Sequence, residues 1–80
     1  MVETLDFPTL LRVRRAARRW SQERTAHAIG VTFYRIRRLE SAMERPTAAE
    51  LDELARLFDV APKSLKAAVA ATEYRAGAVA

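Results

Sequence analysis

The sequence predicts an all-α fold, and three observations carry that expectation. Apolar residues recur at three- and four-residue spacing through most of the chain, and no segment alternates apolar and polar side chains as a half-buried strand does. Asp6, Ser21, Thr32 and Thr47 each stand just ahead of such a segment, where a side-chain oxygen accepts from the N–H groups of a first helical turn. The two glycines and three prolines fall at the edges of these segments rather than inside them.

Five helices follow in order. The first is expected from about Phe7 to Arg19, capped by Asp6, with Pro8 in a first turn that has no use for its missing N–H. Phe7, Leu10, Leu11 and Val13 offer its apolar side. Trp20 packs at the junction with the second helix, which Ser21 caps and which runs from Gln22 to about Ile29 with Ala26 and Ile29 inward. Gly30 takes the left-handed conformation that ends a helix. Thr32 caps a third helix from Phe33 to about Ser41, with Ile36 and Leu39 on its inner face and Met43 following. Pro46 breaks the chain, and Thr47-Ala48-Ala49-Glu50 is a capping box opening a fourth helix in which Leu51, Leu54, Ala55 and Phe58 face the core. After a turn at Asp59-Val60-Ala61, Pro62 opens a fifth helix with Leu65, Ala68 and Val69 on one side. The tail from about Tyr74, with Gly77, is expected to fray.

Eighty residues suit one domain, residues 1–80, with a core over about 7–66 and a helical extension and frayed tail over about 67–80. A core this small is marginal alone, and with no cysteine neither a disulfide nor a zinc–thiolate site supplements it. No secretory signal is visible, and the longest apolar stretch, Ala67 to Ala71, is far too short to cross a bilayer. The expectation is a soluble cytoplasmic protein with no membrane partner. His27 is the only histidine and cannot build a metal site alone. Ser21, Ser41 and Ser64 lack a nucleophile-elbow context, and Glu50, Asp52 and Glu53 form a solvated charge run. No phosphate loop or dinucleotide fingerprint occurs, so no catalytic residue, metal or cofactor is expected.

The net charge of +4 is unevenly spread. Residues 9–46 hold ten arginines against Glu23, Glu40 and Glu44, a net +7, while residues 47–80 carry −1 and residues 1–8 carry −2. Positive charge concentrated around the second and third helices points to a polyanionic partner. Arginine supplies twelve of the fourteen basic residues, and its planar fork suits phosphate and guanine.

The run Trp20-Ser21-Gln22-Glu23, Ala26, Ile29-Gly30-Val31-Thr32, Ile36, Arg38-Leu39-Glu40, then Arg45-Pro46-Thr47, Leu51, Leu54-Ala55, Phe58 and Val60 resembles the Cro and lambda-repressor-like, or xenobiotic-response-element, helix-turn-helix family. The resemblance covers about residues 7–66. It implies that the third helix enters the major groove of double-stranded DNA, with Thr32, Phe33, Tyr34, Arg35, Arg37 and Arg38 at the bases or backbone, and that Gln22 meets a phosphate. It also implies a partly buried Arg15–Glu40 ion pair tying the third helix to the first. Departures are Arg19 before Trp20, Thr25 in place of an apolar residue, the aromatics at 33 and 34, and Ser41-Ala42 in place of a glycine stop, which lets the third helix run longer.

The function so implied is a sequence-specific transcription regulator, a Cro-like repressor of a phage or mobile element associated with the nucleoid. An antitoxin that binds DNA and a toxin protein is the alternative, and a protein-interaction module without specific DNA binding is the alternative of another class. A homodimer on a palindromic operator, in some cases formed only on DNA, is expected through Leu57, Val60, Leu65, Val69 and Tyr74.

Overall fold

The computed structural model describes residues 4–75, which form five helices: α1 Phe7–Ala17, α2 Gln22–Ile29, α3 Phe33–Glu40, α4 Ala48–Phe58 and α5 Pro62–Ala70. The described residues contain no strand, and none of the helices is long and apolar enough to cross a membrane. Each of the first four opens on a side-chain cap: Asp6, Ser21, Thr32 and Thr47 accept from the backbone N–H of Thr9, Arg24, Arg35 and Glu50. At α4 the cap is reciprocal, because Glu50 Oε1 also accepts from the Thr47 N–H at 2.8 Å. α5 has no side-chain cap and starts on Pro62, whose ring presets the first turn.

The same four helices also end alike. Arg19, Gly30, Ala42 and Asp59 take positive φ of 58°, 73°, 59° and 53°. The residue after each then bonds back five positions, Trp20 to Arg15, Val31 to Ala26, Met43 to Arg38 and Val60 to Ala55, at 3.0–3.1 Å. All four of these residues are apolar, and Trp20, Val31 and Val60 pack against the core. The lack of a glycine therefore does not lengthen α3. It ends at Glu40, and Ala42 adopts the left-handed conformation itself.

Phe7, Leu11, Ala26, Ile36, Leu39, Leu54, Phe58 and Ala68 form most of the core. Thr25 joins them fully buried, its hydroxyl donating to the Ser21 carbonyl at 3.1 Å. α3 packs on α2 and α1, α4 packs on α5 and α2, and α1 packs on α5, so α3 lies at one side with an outward face left free.

The structure departs from the sequence expectations at Val13, Val60 and Tyr74. Val13 lies outside the apolar side of α1 and is 49 % exposed. Val60, expected at a dimer contact, belongs to this chain's own core, as does Leu65, expected on the core side of α5 as well as at that contact. The turn after α4 folds Val60 under the bundle, and Leu65 shares with Ala68 the face of α5 that packs inward. Leu57 and Val69 are half-buried against the same core. Tyr74 does not fray. Thr72 Oγ1 accepts from the Phe7 N–H at 2.8 Å, the Arg75 N–H donates to the Ala42 carbonyl at 3.1 Å, and the Arg45 guanidinium lies 4.6 Å from the Tyr74 ring centroid. Residues 71–75 thus run back along the start of α1 to the turn after α3. Gly77 and the rest of the expected tail lie outside the described residues.

Candidate functional site

Helical periodicity divides α3 sharply. Ile36, Leu39 and Glu40 are buried, while Tyr34, Arg37 and Arg38 are exposed on the opposite side and, with half-buried Ser41, line one shallow hollow. Tyr34 is 65 % exposed. The half-buried Phe33 stands beside it, ring centroids 5.7 Å apart, and the Arg37 guanidinium lies 5.6 Å from the Phe33 ring centre. Thr32 is exposed at the helix start, its oxygen accepting from the Arg35 N–H at 3.1 Å.

Arg35 departs from the role expected of it. Its guanidinium points at α4 and is only 17 % exposed. Nε and Nη2 donate to the two Glu50 oxygens at 2.7 Å, Nη1 meets Glu44, and Nη2 also reaches the Arg45 carbonyl at 3.1 Å. α3 and α4 have little backbone contact, and this cluster ties them through side chains. The Arg35 hydrogen bonds hold the Glu50 carboxyl below the usual carboxylate range, and Glu50 in turn pushes the Arg35 guanidinium up. One turn along α3 from Leu39, Arg35 flanks the buried face, a signal that the helical spacing contained.

The other end of α3 is tied to α1. Arg15 Nε and Nη2 donate to the Glu40 carboxylate at 2.8 and 3.1 Å, and Arg15 Nη1 reaches the Trp20 carbonyl at 2.8 Å. Glu40 is 4 % exposed. Gln22 Nε2 donates to the same carboxylate at 3.0 Å, which links the first turn of α2 to this pair. Arg12 Nη1 donates to the Glu40 backbone carbonyl at 2.8 Å, placing a cation at the C-terminus of α3. Glu44, Arg12 and the Arg45–Tyr74 stack had no local sequence signal, because each depends on which element lies opposite.

Trp20 closes the core edge against Phe58, ring centroids 6.1 Å apart, with the Arg24 guanidinium 4.5 Å from its own ring centre. His27 is exposed, and no group of three potential metal ligands occurs among the described residues.

A family model described as helix-turn-helix matches residues 11–65, a span that holds the whole of α2, the turn at Gly30 and α3. No curated protein and no solved structure matches the chain.

Proposed function

The chain belongs to the helix-turn-helix family of the Cro and lambda-repressor type, a DNA-binding family of transcription regulators, and from that premise we propose a sequence-specific repressor that reads duplex DNA with the outward face of α3. The observation that carries the reading is the exposed set Tyr34, Arg37 and Arg38 on a helix whose other side is locked into the core. A helix fits the major groove, arginine donates two parallel bonds to guanine O6 and N7, and an aromatic edge contacts the thymine methyl.

In this reading Arg38 addresses a base edge, and Arg37 and the Thr32 hydroxyl contact the backbone. Phe33 props Tyr34. Arg35 is left out, since its guanidinium faces α4 and four of its five N–H donors go to Glu44, Glu50 and the Arg45 carbonyl. Gln22 keeps one amide N–H beyond its bond to Glu40, and the α2 N-terminus around it favours an anion, so a phosphate docks there. One short helix reads too few base pairs for a useful specificity ratio, so two copies related by a two-fold axis read a palindromic operator. Leu57, Val69 and Tyr74 keep partial exposure and remain the candidates for that contact.

The experiment is selection of binding sites from a random duplex pool, followed by affinity measurement on the selected site. Arg38→Ala is expected to weaken binding by roughly 1–3 kcal/mol and to relax preference at one base pair. An equal loss on every sequence makes Arg38 a phosphate contact instead. A pool that yields no enriched site favours an interaction module over a regulator.

A further inference from the structure

Glu44, in the turn between α3 and α4, touches two arginines at once: Arg35 Nη1, and Arg38 Nε at 3.1 Å. The two arginines stand differently toward it. Arg35 is nearly buried and already held by both Glu50 oxygens and the Arg45 carbonyl, so its position does not depend on Glu44. Arg38 is half exposed, and Glu44 is its only charged partner among the described residues. Nε is the atom nearest the carboxylate, an ion-pair contact without hydrogen-bond alignment. The two terminal nitrogens of Arg38 have no acceptor among the described residues.

We infer that Glu44 is a specificity-determining buttress, a carboxylate that positions Arg38 with its terminal fork outward and cancels its attraction for phosphate. The inference rests on α3 being the reading helix. An unrestrained arginine gains from any phosphate, and that gain is the same on every sequence. Beside Glu44, the charge of Arg38 is already offset by a carboxylate, so meeting a phosphate adds little net attraction and releases less counterion. A guanine edge needs only the two terminal N–H groups, which stay free while Nε remains on Glu44. The restraint therefore suppresses non-specific binding more than guanine recognition. It also orders the side chain before binding, which lowers the entropy cost of forming the contact. Glu44 is anchored for this task, because its other contact is to the fixed guanidinium of Arg35.

The test compares wild type, Glu44→Gln, Arg38→Ala and the double variant, using a labelled duplex of random sequence and the site selected by the wild type. Glu44→Gln is expected to bind random duplex roughly twofold to fivefold tighter, the scale of one exposed ion pair. Its log–log salt slope should steepen by up to about 0.9, one further phosphate. Its preference for the selected guanine over other bases should fall roughly fivefold. In the Arg38→Ala background, Glu44→Gln should change none of the three. A gain of the same size with and without Arg38 means general electrostatics and overturns the inference. So does a Glu44→Gln variant that matches wild type in slope and preference. Melting curves verify that each variant is folded, and Glu44→Asp, which retracts the carboxylate, replaces the Gln variant if that one is not. Wild type that fails to bind any duplex overturns the proposed function itself, a different result from wild type that binds without needing Glu44.

Discussion

Ala42 and Gly30 hold the same left-handed backbone with opposite side-chain economics. Gly30, at φ 73°, adopts it freely, and a Cβ there would meet nothing within 4 Å. Gly30→Ala therefore isolates the backbone cost of an L-residue in this region, about 1 kcal/mol of lost stability in a urea titration. Ala42, at φ 59°, already bears that cost. Ala42→Gly is expected to stabilise by up to about 1 kcal/mol, reduced by the greater freedom glycine has in the unfolded chain. A neutral Gly30→Ala would contradict both. Glycine was legible as a stop, but Ala42 and Arg19 were not. Ala42 is held by what surrounds it: Arg12 satisfying the Glu40 carbonyl, the Met43 N–H returning to Arg38, and the Arg75 N–H reaching the Ala42 carbonyl. A propensity scale has no access to partners that lie thirty residues away in sequence.

Two ionic ties fix α3 as an element, Arg15–Glu40 toward α1 and Arg35–Glu50 toward α4. Glu40 is buried, so Glu40→Ala leaves a guanidinium without its counter-charge and should cost about 3–5 kcal/mol. Exchanging the two charges should retain more stability than either single reversal, and purely additive losses would show that the pair is not coupled. The second tie sets a pH dependence. Hydrogen bonding to Arg35 lowers the Glu50 carboxyl below its unfolded value, so the folded state binds fewer protons in that range. The contribution is full above the ordinary glutamate value of about 4.3 and is lost as pH falls through the lower folded value. Melting temperature should drop across that window in wild type and drop less in Arg35→Ala, which begins less stable. The first tie was expected because family resemblance placed its partners. The second was missed because the spacing within α3 locates Arg35 on a flank without saying that α4 brings a carboxylate to it.

At the scale of the molecule, the charge concentration in residues 9–46 was plain in the sequence, yet the structure uses part of it internally. Arg15 and Arg35 hold carboxylates, Arg12 caps a helix end, and Arg38 shares Glu44. The phosphates neutralised per chain must therefore number fewer than the ten arginines of that segment, and the salt dependence measures them at about 0.9 in log–log slope each. The proposed pairing contact was the least legible in the sequence, because an apolar residue reads the same whether it closes its own core or meets a partner. With Val60 and Leu65 committed inward, the contact left to Leu57, Val69 and Tyr74 is small, and small interfaces associate weakly in solution. The paired state is thus expected on DNA rather than before it. Sedimentation should show single chains when free and two chains per selected site at saturation. On the proposed palindromic operator, two copies are expected to read half-sites about 34 Å apart on one face of the duplex. Inserting about five base pairs between the half-sites, half a helical turn, moves them to opposite faces and should reduce binding to that of a single half-site. An insertion that leaves affinity unchanged, or one chain per site at saturation, would mean that each copy reads alone.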